Sequence, residues 1–289
     1  MRYKSGKPLS KIDGVPISFK DNFLVKGMPC TAGSKILHNF VPPIESTLSD
    51  RIRNAGGIII GKTNMDEFGM GSQNFYTDKI PINPIDSDLV VGGSSGGAAV
   101  ATATNQGFAA LGTDTGGSVR YPAHWCGVYG FKPSYGRLSR YGVILYSSSN
   151  DTPGIIAASI DNIKSVFDVL DGEWPRDSNS IEFDEENVSK SLKGIRIGIA
   201  NEFNLDELPQ KQIRNQIEIL EMLQDQGAEI VTDISIPLLK QTLWLHYTLI
   251  PAEASSNLAR YDGLKYSAYK NKFMNASHNN DSQFEFKDE

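Results

Sequence analysis

Only two cysteines, Cys30 and Cys126, occur in the 289 residues. Two are too few for a disulfide scaffold, and neither belongs to a CxxC pair, so a reducing compartment is the simpler reading. Histidine is nearly as scarce. His38, His124, His246 and His278 are the whole complement, with no HExxH and no Cys/His cluster, and no metal site is expected. Apolar runs are short as well: none approaches the roughly 18 residues that suggest a membrane span. No signal-type apolar core follows Met1, so the chain reads as soluble and not secreted, with no insertion into a membrane. Basic charge is thin. Residues 1–150 carry 15 basic and 10 acidic side chains and the remainder 13 and 24. With no dense Lys/Arg stripe and interleaved aromatics, unaided nucleic-acid binding is disfavoured.

What is present is a globular composition, 39% hydrophobic with 27 glycines, which excludes disorder throughout. A single α/β domain over 1–289 fits this length as well as two smaller ones would. Strand and helix alternate along it. Val15 to Phe19 reads as a short strand. From Ser46 the run TLSDRIRNAGG looks helical, with Leu48, Ile52 and Ala55 on one face, and Ile58 to Ile60 follow as a buried strand. Residues 92–106 open on glycines and continue as an Ala-rich helix, and GFAALGTD from Gly107 is the next strand. GVYGFKP is strand-like, and Ile163, Val166, Phe167 and Leu170 recur at helical spacing. Residues 173–192 are acidic and polar and read as a surface loop. IRIGIA at 195–200 is a strand, Ile213, Ile217, Leu220 and Leu223 share a helical face, and AEIVTDISI resumes a strand. The stretch 275–289 lacks apolar periodicity and is expected to be a disordered end.

Two motifs mislead. GGIIIGKT at 56–63 matches the phosphate-loop pattern letter for letter, yet a helix precedes it and three isoleucines fill its interior. A phosphate loop needs a strand before it and a flexible turn within it, so no nucleotide is expected at Lys62. GGSSG at 92–96 fits the nucleophile elbow of α/β-hydrolases, but that mechanism requires a later histidine in a supporting motif, and none is visible.

Three polar segments remain: ISFKDN around Lys20, GGSSGGAAVA from Gly92, and GTDTGGSVRYPA around Ser118. One glycine- and serine-rich turn is usually just a turn. Three of them make a coherent chemistry without histidine. A serine attacks a carbonyl only when a base takes its proton, and a buried lysine whose ammonium form is disfavoured by desolvation serves as that base. Burial and the absence of nearby carboxylates should keep Lys20 neutral, with Asp21 pointing elsewhere. A second serine relays the proton, and backbone N–H groups of Thr115, Gly116, Gly117 and Ser118 can converge on an oxyanion.

These residues resemble the amidase signature family, whose glycine- and serine-rich core stands here as GGSSGGAAVATATNQGFAALGTDTGGSVRYPAHWCGVYGFKPSYG, residues 92–136. The resemblance implies an α/β fold with a central mixed β-sheet covered by helices on both faces. It also implies a Ser, cis-Ser, Lys catalytic set, with Ser118 as the acyl-forming nucleophile, Ser94 as a relay serine after a cis peptide, and Lys20 as the base. Within the family, KDNFLVKGMPCTAGSKIL, GKTNMDEFGMGS, GRLSRYGV and EASSNLARYDGLKY at 253–266 are similar to the branch of A subunits of glutamyl-tRNA(Gln) amidotransferases. That branch implies a glutaminase subunit, which hydrolyses glutamine to glutamate and passes ammonia to a B subunit in the conversion of Glu-tRNA(Gln) to Gln-tRNA(Gln). By the same resemblance ATP and Mg are used by the B subunit, this chain has no cofactor of its own, Glu-tRNA(Gln) is met mainly through the B subunit, and a small third subunit completes the complex. Tyr247, six residues before Glu253, falls where the branch has a substrate-contacting tyrosine.

Departures matter too. Only 19 residues precede Lys20, where the family has a longer helical segment, and the chain stops where the A subunit continues with further glutamine-binding groups. A form shortened at both ends is expected. Val91 in place of proline before GGSSGG, and SSSNDTPGII in place of an SSLDQIGP-like run, favour a mitochondrial over a bacterial cytoplasmic protein. The competing readings are a freestanding amidase on a small or lipid amide and a shortened, non-catalytic scaffold.

Overall fold

The computed structural model describes residues 2–181, 191–202, 208–263 and 265–266. The described residues fall into two compact units, one of residues up to 181 with those from 250 onward, the other between 191 and 249. Of the expected features, 275–289 and most of the acidic part of 173–192 lie outside the described residues.

The first unit is built on a five-stranded sheet of order β2-β1-β3-β5-β4. Its strands are β1 (Pro16–Lys20), β2 (Ile58–Thr63), β3 (Ala109–Asp114), β4 (Tyr129–Phe131) and β5 (Thr152–Ala157). β1 runs parallel to β2 and β3, whereas β5 is antiparallel to β3 and β4, so the sheet is mixed. Four helices accompany it: α1 (Thr47–Asn54), α2 (Gly96–Ala103), α3 (Arg120–Trp125) and α4 (Ile160–Leu170). Successive strand side chains point to opposite faces. Ala109, Leu111, Ile155 and Ala157 therefore join Leu48 and Ile52 of α1 and Ile163, Val166 and Leu170 of α4 in one core. Ala110 and Ile156 take the other face, packing with Ala98 and Ala99 of α2 and Ala123 of α3. Both faces of the sheet are covered, as an α/β reading requires.

Local signals place these helices. Ser46 caps α1 by accepting from Ser49 N at 3.1 Å, and Ser159 caps α4 from Asn162 N at 3.1 Å. Each cap stabilises its helix by about 1 kcal/mol. Burying Val166 and Leu170, both 0% exposed, adds roughly 1.5–3 kcal/mol apiece.

The strand expected to be buried at Ile58 to Ile60 is buried only at Ile59; Ile58 and Ile60 are 52% and 45% exposed. The reason is topological, because β2 is one of the sheet's two edge strands and one of its faces is only partly covered. Its backbone is spent on β1, with Lys62 opposite Phe19 and Thr63 opposite Lys20, and forms no phosphate cradle. Lys62 Nζ instead donates to Asp21 Oδ1 at 2.9 Å and to Pro29 O at 3.3 Å. Equilibrium titration with ATP should accordingly give no saturable binding that Lys62→Ala abolishes; such binding would overturn the assignment.

Residues 173–181 contain no helix or strand, yet Asp177 and Ser180 are buried. Asp177 accepts from the Arg140 side chain through both carboxylate oxygens and from Arg140 N at 2.7 Å, which pins this stretch to the unit. In the second unit β6 (Arg196–Ala200) pairs in parallel with β7 (Glu229–Ile234), and α5 (Gln210–Asp225) packs on β7. Ile213, Leu220 and Leu223 are half-buried on the predicted face and Ile217 is exposed. A last helix, α6 (Thr242–Leu258), runs from the second unit into the first.

Candidate active site

In β1, Ile17 and Phe19 point into the main core, so Ser18 and Lys20 take the opposite face, toward α2. Lys20 is the last residue of β1 and is 0% exposed. Its Nζ lies 2.6 Å from Ser94 Oγ, 3.0 Å from Thr113 Oγ1 and 3.5 Å from Thr113 O. Asn22, two residues on, donates through Nδ2 to the same Thr113 hydroxyl at 3.1 Å. A neutral amine has two N–H groups and one lone pair. With Thr113 accepting through its hydroxyl and carbonyl oxygens, the lone pair is left for Ser94.

Burial drives the Lys20 ammonium down to a pKa of about 7. The expectation that carboxylates would be kept away is corrected here. Asp151, Asp66 and Asp114 all raise the lysine's pKa, and desolvation outweighs them. Asp21 does point elsewhere, to Lys62 and Thr31.

Ser94 sits just before α2, and the Gly93–Ser94 peptide is cis. Ser94 O accepts from Asp66 N and Ser95 N donates to Ser118 O, each at 3.2 Å, so the two serine loops are one backbone hydrogen bond apart. Gly93 is required by crowding: a Cβ there would stand 2.2 Å from Asp66 Oδ2 and 2.9 Å from Asn74 N. Gly93→Ala should therefore lower stability by about 1–3 kcal/mol through overpacking. A thermal melt unchanged by the substitution would contradict that account.

Ser118 is 8% exposed, and its hydroxyl has no hydrogen-bond partner among the described residues. The Ser94 to Ser118 side-chain link is thus not closed in this structure. Of the four expected oxyanion donors, Gly117 is engaged: its N–H donates to Asp114 Oδ1 at 2.8 Å. The N–H groups of Thr115, Gly116 and Ser118 make no hydrogen bond to described residues. Asp114 organises the turn by also accepting from Val119 N, Arg120 N and the Arg120 side chain. Burial opposes its ionisation, but the Arg120 guanidinium and these N–H groups hold its carboxyl below the usual range. Gly117, at φ 130°, supplies the left-handed backbone that folds the turn onto Asp114.

Tyr247 lies on the part of α6 in the second unit, 67% exposed, its ring packed edge-on against His246. Sequence reasoning missed four other groups: Thr113, Asn22, Asp151 and Tyr146. Thr113 and Asn22 are buried polar residues at the ends of apolar strands, the one signal that could have marked them. The Tyr146 ring and Ser94 Oγ both border Gly69, where a Cβ would be 3.4 Å from the ring and 3.7 Å from the hydroxyl. Among the described residues no three His, Cys, Asp or Glu side chains converge as metal ligands.

Comparison with known proteins places this geometry. The amidase family profile matches residues 1–287. The mitochondrial A subunit of the glutamyl-tRNA(Gln) amidotransferase of Emericella nidulans is 45% identical over 283 residues, covering 92% of this chain and 56% of that protein. The corresponding A subunit of Prochlorococcus marinus strain SARG is 43% identical over 268 residues, with 91% and 55% covered. The chain spans about half the length of these relatives. The crystal structure of the Thermotoga maritima A subunit superposes with a TM-score of 0.81 at 33% identity, covering 93% of this chain and 60% of that one. The native peptide amidase of Stenotrophomonas maltophilia superposes with a TM-score of 0.75 at 28% identity, covering 96% and 60%. On the profile, the identities and the shared architecture, the chain belongs to the amidase family, and both bacterial and mitochondrial amidotransferase A subunits are among its relatives.

Proposed function

We propose that this chain carries the serine-amidase chemistry of a glutamine-hydrolysing subunit of a tRNA-dependent amidotransferase. The observation that carries the reading is the fully buried Lys20, with a pKa near 7, 2.6 Å from Ser94 Oγ, while Ser118 keeps an unpaired hydroxyl one backbone hydrogen bond away. Ser118 Oγ attacks the carboxamide carbon of glutamine, and its proton passes through Ser94 to the neutral Lys20. The oxygen gains negative charge and is met by the free N–H groups of Thr115, Gly116 and Ser118. Collapse breaks the C–N bond. The leaving nitrogen takes the proton back from Lys20 through Ser94 and departs as ammonia. Water, deprotonated by the same relay, then attacks the Ser118 ester; its C–O bond breaks, glutamate leaves, and the proton returns from Lys20 through Ser94 to Ser118 Oγ. Tyr247 is proposed as a contact to the substrate.

The wider setting follows from the family resemblance. The proposed partners are a small third subunit, Glu-tRNA(Gln), and a B subunit that uses ATP and Mg, with no cofactor bound by this chain. Mitochondrial relatives from Emericella nidulans and Aedes aegypti support a mitochondrial setting, and cyanobacterial relatives support a bacterial cytoplasm as the alternative. The peptide amidase neighbour supports the second reading, a freestanding amidase. Co-purification followed by a glutaminase assay separates the two. Glutamine hydrolysis stimulated by the partner and Glu-tRNA(Gln) supports the first reading, and partner-independent cleavage of a hydrophobic amide supports the second. No turnover of either leaves only the scaffold.

A further inference from the structure

The loop 146–149 is held from two sides. From one side, the part of α6 in the first unit grips it: Glu253 Oε2 accepts from Ser147 Oγ at 2.9 Å and from Ser149 N at 3.0 Å, and Glu253 Oε1 accepts from Ser149 Oγ. Asn257 Nδ2 donates to Tyr146 O at 3.2 Å and Ser148 Oγ at 3.0 Å. From the other side Asp151, 3% exposed, accepts through Oδ2 from Tyr146 N at 2.8 Å and Ser147 N at 3.0 Å. Its second oxygen, Oδ1, accepts from the Thr115 hydroxyl. One carboxylate therefore joins the loop bearing Tyr146 to the first residue of the Thr115–Ser118 turn.

We infer that Asp151 is a positioning residue, which sets Thr115 in the Ser118 turn and the Tyr146 ring on the Ser94 side, and is itself anchored through the loop by Glu253 and Asn257. The inference rests on the amidase reading of the Ser118 site. A carboxylate only accepts hydrogen bonds, so it fixes three donors at once, and no neutral side chain of the same shape replaces all three. Its charge also reaches Lys20. The groups facing Lys20 are Asp151, Asp66, which Asn74 N and Tyr76 N hold, and Asp114, which Arg120 neutralises. Around Asp151 itself stand Lys20 and, beyond Ser148, the Arg140 to Asp177 pair with Tyr135; Glu253 lies beneath Ser147.

The test reads the rate at which phenylmethanesulfonyl fluoride modifies Ser118 in the full chain, by mass spectrometry, across pH 5–9. In Asp151→Asn the rate should fall about tenfold or more, as misplaced reacting groups do. The acid limb should also move to lower pH, because a charge that favours the Lys20 ammonium is gone, and a purely structural role would not move that limb. Thr115→Val removes one hydroxyl from Asp151 at constant volume; it should slow modification with the limb in place, and it decides the matter if Asp151→Asn does not fold. Full-rate modification with an unshifted limb in Asp151→Asn, or full-rate modification in Thr115→Val, overturns the inference while leaving the amidase reading standing. Failure to modify Ser118 in the unaltered chain removes both.

Discussion

Lys20→Arg should lower amide hydrolysis by about 10²–10⁴-fold, the contribution typical of a positioned general base. Arginine keeps the positive charge and the donors but stays protonated in proteins, so it cannot take the proton from Ser94. A lysine acting only as a structural cation would tolerate the exchange. Because Arg is larger and would bury a permanent charge, Lys20→Met serves as the second variant; it should lose activity to the same degree and fold. Wild-type turnover should climb with pH and reach half its maximum near pH 7, where the amine becomes neutral. The same group bears on stability. Lys20 is depressed to about 7 when folded from its ordinary value of 10.5, so between these values the unfolded chain binds more protons. Stability contributed through this residue therefore rises with pH across that window, and Lys20→Met should flatten the rise. Near-normal turnover in Lys20→Arg would show that the proton goes elsewhere.

Asp177→Ala is expected to give the largest loss of stability. Arg140 and Asp177 are both almost fully buried, 8% and 5% exposed at their side chains, and face each other at 3.0 Å. Arg140 also donates to Ser148 O, and its guanidinium lies 4.9 Å over the Tyr135 ring, whose hydroxyl donates to the same carbonyl at 2.8 Å. Removing the carboxylate leaves a buried guanidinium without its counter-charge, which costs about 3–5 kcal/mol. For a protein of this size that is a fall in Tm of roughly 5–8 °C. The loss should be larger than that of Asp177→Asn, which keeps an acceptor. Equal melts for the two variants, or a fall of only a degree or two, would mean that the pair is not held as described. Since Ser148 belongs to the loop that Asp151 ties to Thr115, Asp177→Ala should also slow chemistry at Ser118.

Much of this architecture was legible in the residues. Helical spacing of Ile163, Val166 and Leu170 located α4, while its cap at Ser159 came only from the structure. The run from Gly107 marked β3, whereas β5 (Thr152–Ala157) carried no alternation and was not anticipated. Ile58 and Ile60 were harder, because three consecutive isoleucines look the same in an edge strand as in a central one, and only the sheet order distinguishes them. The site divided along similar lines. Lys20, Ser94 and Ser118 were marked by local glycine- and serine-rich sequence, whereas Thr113, Asn22 and Asp151 act through contacts 91 and 36 residues apart in the chain. Gly117 shows the limit of pattern reading from the other side. Its place in the glycine turn suggested an oxyanion donor, but the Asp114 carboxylate three residues before it takes that N–H. The balance on Lys20 was equally invisible, since burial and three carboxylates act in opposite directions and only the geometry shows which prevails.

The central claim is that Ser118 is the nucleophile, served by Ser94 and Lys20. Incubating the chain, together with the proposed partner subunits, with a glutamine-like electrophile and mapping the adduct by mass spectrometry tests it most directly. The competing nucleophiles are Cys30 and Cys126, both buried, with thiols pushed up to about 11 by desolvation. The expected result is a single adduct on Ser118, absent in Ser118→Ala and formed much more slowly in Lys20→Arg. An adduct on Cys126 or Cys30 with Ser118 unmodified would contradict the account.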